Sequence, residues 1–193
     1  DKLFEEFDHP NPYINKRACI SMSKYYRDDS IQRLIKKLQD NDIEIRRKSV
    51  ICLACFGRQV ILPICTLFHS NEDRIIRVCC LKVLVKLASE IQVDQYKYEI
   101  FEIINIALED ENPEVILTVV SLLRQLENLG SPYLRKLCKD KNILKAKAAV
   151  TAISELKNSS IPKFLEELAS DNSIDSFIRD SVNDLGKYNK EKI

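Results

Sequence analysis

Glycine occurs three times in 193 residues and tryptophan not at all. So few glycines leave Rossmann loops and phosphate-cradling turns almost unsupplied. Histidine is nearly as scarce. His9 and His69 each fall at an expected hairpin turn, with no carboxylate-serine or cysteine constellation beside them, so no catalytic triad can be assembled. No run approaches the roughly 18 apolar residues of a membrane span, and no basic, apolar and small signal segment opens the chain. The expectation is a soluble, intracellular protein. The chain opens at Asp1 rather than methionine, and a short leader or tag is expected to have been lost. Charge of one sign is missing too. The net value is +1, which by itself points to no particular partner.

Cysteine, by contrast, occurs seven times. Cys52 and Cys55 form a C-x-x-C, expected in mid-helix, and no second such pair or paired histidine completes a zinc set. Cys19, Cys65, Cys79, Cys80 and Cys138 also fall in apolar helical stretches, where free cysteine behaves as a small hydrophobe. Core packing is therefore expected of the cysteines, with no metal site.

What the chain has in abundance is a repeated stripe. Six apolar or near-apolar triplets recur at i, i+4 and i+8: Ile14/Ala18/Met22, Ile45/Ser49/Leu53, Ile76/Cys80/Leu84, Val115/Val119/Leu123, Lys145/Ala149/Ile153 and Phe177/Ser181/Leu185. Their middle members stand 31, 31, 39, 30 and 32 residues apart, and only Lys145 breaks the apolar rule at the first position. Such a period means one helix pair repeated, each pair burying its apolar face on its neighbours. The fold expected is all-α: a single domain over 1–193, an α-solenoid of about six helical hairpins winding as a right-handed superhelix. The hairpins are placed at about 1–28, 29–58, 59–90, 91–130, 131–159 and 160–193. Polar turns rich in Asp, Asn and Ser precede each second helix and supply caps. Breaks between hairpins are expected at Asp28-Asp29-Ser30, Gly57, Ser89 to Gln95, Gly130-Ser131-Pro132 and Asn158-Ser159-Ser160. The 39-residue interval is read as a spacer around Ile91 to Tyr98, and the tail from Lys187 is expected to fray.

Charge is unevenly placed along this array. The second helices of the first three hairpins hold Lys16, Arg17, Lys24, Arg46, Arg47, Lys48, Arg58, Arg74, Arg77, Lys82 and Lys86, opposed only by Glu44. Aligning the repeats puts rows of residues in the groove that second helices line. One row runs Lys16, Arg47, Val78, Leu117, Lys147, Arg179, and another Arg17, Lys48, Cys79, Thr118, Ala148, Asp180. A third holds Ile20, Ile51 and Lys82, with Lys24, Cys55 and Lys86 one turn on. The expected binding surface is thus Lys16, Arg17, Lys24, Arg47, Lys48, Lys82 and Lys86, fit for an anionic ligand or an acidic protein face. The competing reading is a solvated basic face with no ligand. Arg46 and Arg77 follow Asp40 and Asn71 by six residues, a spacing read as a structural ladder with the turns of neighbouring repeats.

The turns also carry a resemblance. The Leu3-Phe4 opening, His9-Pro10-Asn11-Pro12, Lys16-Arg17-Ala18, Asp28-Asp29-Ser30-Ile31-Gln32-Arg33-Leu34, Leu38-Gln39-Asp40-Asn41-Asp42, Arg46-Arg47-Lys48-Ser49-Val50, Gly57, Asn112-Pro113-Glu114-Val115 and Gly130-Ser131 follow one another in this order. Across nearly its whole length the chain resembles the E/F-type phycobilin lyase family, built of HEAT-like repeats, and within it the chaperone-like Z branch of phycoerythrin maturation. It departs from that pattern in its extra cysteines, its alanine-poor helices and its nearly solitary Gly57.

The resemblance implies a chaperone-like accessory protein, not an enzyme on its own. Such a protein helps a partner bilin lyase attach phycoerythrobilin to cysteines of a phycobiliprotein subunit and stabilises that subunit, in the cytoplasm of a cyanobacterium or a plastid stroma. No catalytic residue and no permanent cofactor are expected. Phycoerythrobilin would be held transiently, its propionates on the basic groove, with apolar contact from Tyr13, Tyr25, Tyr26, Ile20 and Ile51. Tyr13, Tyr25 and Tyr26 are expected more often in the core. Alternatives are a lyase subunit that itself transfers bilin, a scaffold in phycobilisome turnover, and a nucleic-acid-binding repeat protein. Against the last stand the near-neutral charge, the acid-mixed C-terminal half and the missing tryptophan.

Overall fold

The computed structural model describes residues 2–88 and 96–190, the side chains at 27 and 186–190 excepted. Among the described residues there are twelve α-helices, one 3-10 turn and no strand. The helices alternate as first and second members of hairpins: α1 (Lys2–Asp8) with α2 (Pro12–Tyr25), α3 (Arg27–Lys37) with α4 (Ile43–Ala54), and α5 (Ile61–His69) with α6 (Arg74–Leu87). There follow α7 (Lys97–Leu108), α8 (Pro113–Gln125), α9 (Ser131–Leu137), α10 (Ile143–Ser154), α11 (Ile161–Ser170) and α12 (Ser176–Lys190). No helix among the described residues is long and apolar enough to cross a membrane.

Each second helix starts for a local reason. Asn11, Asp42, Asp73, Asn112, Asn142 and Asp175 accept a backbone N–H two residues on, at 2.7–2.9 Å in five cases and 3.0 Å at Asn142. These bonds satisfy amides that have no partner inside the helix. A second acceptor two residues before the cap repeats as well: Asp40 Oδ1 takes the Asp42 N–H, Asp110 that of Asn112 and Asp140 that of Asn142, all at 2.8–2.9 Å. Gly57, at φ +60, ends the second hairpin in the left-handed region that only glycine enters cheaply. The 3-10 turn Gly57–Val60 then leads into α5.

The chain groups into two compact units, residues 1–115 and 116–193, where the sequence reading took one domain. In the first, α1 packs on α2, α3 on α4 and α5 on α6, while α2 meets α4, α4 meets α6 and α5 meets α7. Phe7, Ala18, Met22, Leu34, Leu53, Ile64, Phe68, Cys80, Leu84 and Ile103 are all at 2% exposure or less, so the expected stripes form its core. In the second, α9 packs on α10, α11 on α12 and α10 on α12, around Leu122, Leu123, Leu134, Ala149 and Ile153. The architecture is the all-α array of stacked helical hairpins that the period requires.

Four details differ from the sequence reading. Asp28, Asp29 and Ser30 are not a break but the first turn of α3, where carboxylates favour the helix N-terminus; only Tyr26 separates α2 from α3. Ser131 and Pro132 likewise open α9, proline being tolerated there. In α12 the buried pair is Ile178 and Val182, one residue beyond the expected triplet, and Phe177 is exposed beneath Lys147, whose Nζ lies 4.6 Å from the ring centroid. The helix also continues through Lys187 to Lys190. Of the long interval, residues 89–95 lie outside the described residues; Tyr96 precedes α7 and Tyr98 is exposed.

Candidate binding face

The outward surface of α2, α4 and α6 carries most of the residues singled out by charge. All seven expected cations sit on these helices, but they divide into two groups. Arg17 pairs with Glu6 at 3.3 Å, Arg47 with Glu44 at 2.6 Å and Lys82 with Glu114 at 2.9 Å. Lys48 is partly buried and donates to the backbone oxygens of Asp8 and His9 at 3.2 and 3.3 Å, tying the second hairpin to the turn of the first. These four neutralise or staple. Lys16, Lys24 and Lys86 are exposed, with no acidic partner among the described residues within ion-pair distance.

The apolar members of the face are open to solvent. Ile20 is 49% and Ile51 48% exposed, and Tyr13 stands out at 76%. Tyr25 and Tyr26, expected in the core with Tyr13, are exposed as well. The reason is local: Tyr25 closes α2 and Tyr26 is the single-residue corner, so their rings lie beyond the packed stripe of Ala18 and Met22. Val78, Cys79 and Thr118, aligned into the groove by register, are buried instead. The accessible rows are therefore Ile20, Ile51, Lys82 and Lys24, Cys55, Lys86.

The two ladder arginines bond chiefly to backbone oxygens of their own turns, and Arg77 also pairs with a turn carboxylate of the next repeat. Arg46 Nη1 donates to the backbone oxygens of Asp40 and Asn41 at 2.7 and 2.8 Å, while the Asp40 carboxylate is occupied by the Asp42 amide. Arg77 Nε donates to the Asn71 oxygen at 2.9 Å, and its Nη1 reaches the Asp110 carboxylate of the next repeat at 3.2 Å. One-repeat links recur in the second unit, where Arg124 meets Glu155 at 2.8 Å and Lys139 meets Asp171 at 3.1 Å. Hydrogen bonds from Ser173, then from Lys139, hold the Asp171 carboxyl down at about 2.

The cysteines supply no site of their own. Six are buried; burial pushes Cys65 and Cys138 up to about 12 and raises Cys79 and Cys80, while Cys52 is raised first by its hydrogen bond with Cys19. Cys55 is the exception to the expected packing: as the residue after α4 it is exposed, because the helix ends there. No group of three or more metal-ligating side chains occurs among the described residues.

Fold and face together define a helical-repeat protein with a partly cationic, partly apolar exposed face on α2, α4 and α6. No family model matches the chain. It is similar to the bilin biosynthesis protein CpeZ of Synechococcus sp. (strain WH8020), 27% identical over 169 residues that cover 84% of this chain and 91% of that protein. It is also similar to phycocyanin operon protein Z of Pseudanabaena tenuis (strain PCC 7409), 23% identical over 186 residues, covering 94% of this chain and 91% of the relative. Among solved structures it resembles YibA of E. coli, with a TM-score of 0.57 at 18% identity, covering all of this chain and 71% of that one. That likeness speaks to the helical-repeat fold alone. The Z-type resemblance read from the turns agrees with the two curated relatives.

Proposed function

We propose that the chain acts in bilin biosynthesis, as a chaperone-like helper that binds a phycobiliprotein subunit through the α2–α4–α6 face while a partner lyase attaches phycoerythrobilin. The observation that carries this reading is similarity to a bilin biosynthesis protein over 84% of the chain, on a fold whose exposed Ile20 and Ile51 share their helix face with exposed lysines. An apolar patch with a cationic rim suits a protein surface with an acidic border. The apolar centre contributes affinity, and the rim contributes steering and register. Helping by positioning needs no acid-base residue, because holding two reactants in geometry already lowers the barrier.

Co-expression with a candidate lyase and an apo-phycoerythrin subunit tests this, reading chromophore attached per subunit with and without the chain. Attachment and soluble subunit both rise if the reading holds. Equal yields with and without the chain sink it. Reversing two of these exposed lysines, Lys16→Glu with Lys86→Glu, is expected to weaken pull-down of the apo-subunit about tenfold or more, since each like-charge contact costs on the order of 1 kcal/mol or more. Helix content stays unchanged, because neither side chain is part of the core.

A further inference from the structure

We propose that the cleft between the α2–α3 corner and the 3-10 turn is a binding site for an open-chain tetrapyrrole. This rests on the bilin-biosynthesis reading and goes beyond it by giving the pigment a place and a set of contacts. The cleft is a groove open to solvent with a volume of about 810 Å³, a size that falls in the roughly 300–1,000 Å³ of small-molecule sites. It is framed by the last turn of α2, the first turns of α3, the 3-10 turn Gly57–Val60 and the start of α5, all within the first unit.

The walls are mixed in a way that few ligands match. Lys24 brings an ammonium, Asp28 a carboxylate, and Gln32 and Gln59 bring carboxamides, while Ile31 and Pro63 are apolar. Tyr25 adds a ring that is 68% exposed, with Lys24 Nζ 5.6 Å from its centroid. An open-chain tetrapyrrole is a flat conjugated chain with two propionates, inner N–H donors and two terminal lactams. Its ring system would lie on Tyr25, a propionate on Lys24, pyrrole N–H groups on Asp28 and a lactam on a carboxamide. A fatty acid, by contrast, has no N–H donors to offer Asp28.

Position links the cleft to the partner face. Lys24 stands one turn after Ile20 on α2, so it borders both surfaces. Pigment held here lies at the margin of a docked protein and outside the apolar contact itself.

The test is titration of the purified full chain with phycoerythrobilin, read by visible absorbance and induced circular dichroism. The expected result is a red-shifted, sharpened band with induced dichroism. Tyr25→Ala combined with Asp28→Asn weakens binding about tenfold or more, and so does Gln59→Glu from the opposite wall, whose carboxylate repels the propionates, whereas Lys16→Glu with Lys86→Glu leaves it within about twofold. Both substituted walls are solvent-exposed, so far-UV dichroism stays unchanged. A wild-type chain that leaves the pigment spectrum unaltered overturns the proposal. So does binding that neither the Tyr25/Asp28 nor the Gln59 variant weakens. Pull-down of the apo-subunit reads the partner face separately, so failure of the cleft and failure of the helper reading appear in different experiments.

Discussion

Arg77 joins two repeats with one side chain. Its guanidinium lies 5.4 Å from the Phe68 ring centroid, bonds the Asn71 oxygen and pairs with Asp110, and both partners of the ion pair are largely out of solvent. Removing it takes the charged partner from a part-buried carboxylate, which keeps only the Asn112 amide, and leaves the Asn71 oxygen without this donor, so Arg77→Leu is expected to destabilise the chain by about 1–3 kcal/mol in urea unfolding. Lys82→Met, which breaks the exposed pair with Glu114, should cost under about 1 kcal/mol. The cysteines give a second test at this scale. Burial keeps Cys65 and Cys138 protonated far above neutral pH, so iodoacetamide at pH 8 should label Cys55 first and the other six only on unfolding, as followed by mass spectrometry. The six-residue spacing marked Arg77 as structural before any coordinates, but the Asp110 partner lies 33 residues away and has no local signal. The exposed tyrosines were illegible for a similar reason. At a helix end the stripe no longer dictates which way a ring points, and only the corner geometry does.

The helices themselves were written plainly in the sequence. Period and caps together gave all six second helices, because Asp or Asn two residues before a free amide is a local chemical signal. Local signals also misled where they compete. Asp28 and Asp29 suit a turn and the first turn of a helix equally well, and here the helix dipole decides. In α12 the apolar residues at 177 and 178 offer two stripes one residue apart, and packing against α10 selects the one through Ile178. Close approach between elements is testable at Gly130. A Cβ there would lie 1.8 Å from the Leu123 backbone oxygen. Its φ of −81° suits any residue, so the objection is steric alone. Gly130→Ala is accordingly expected to lower stability by about 1–3 kcal/mol, measured by thermal unfolding, with helix content retained.

At the scale of the molecule, eleven cations against one acid overstated the basic face. Glu6 and Glu114 stand outside the helix segments that were compared, and they come within 3.3 and 2.9 Å of Arg17 and Lys82 only after folding. What survives is a sparser surface, three lysines with no ion-pair partner among the described residues and two exposed isoleucines, which suits a protein partner better than a polyanion. A polyanion would need many phosphate contacts to hold on at physiological salt. The cleft beside it was legible only at its edge. Repeat register singled out Lys24, whereas Asp28, Ile31, Gln32, Gln59 and Pro63, drawn from three further elements, carried no spacing signal.

Each second helix begins on an Asp or Asn of its own, so the instruction to start is issued afresh in every hairpin and owes nothing to distant neighbours. Hairpins with such independent starts can be gained, lost or resurfaced one at a time in descent. A lineage of these proteins can therefore alter the surface it presents by rewriting a few outward rows while leaving the scaffold's grammar alone.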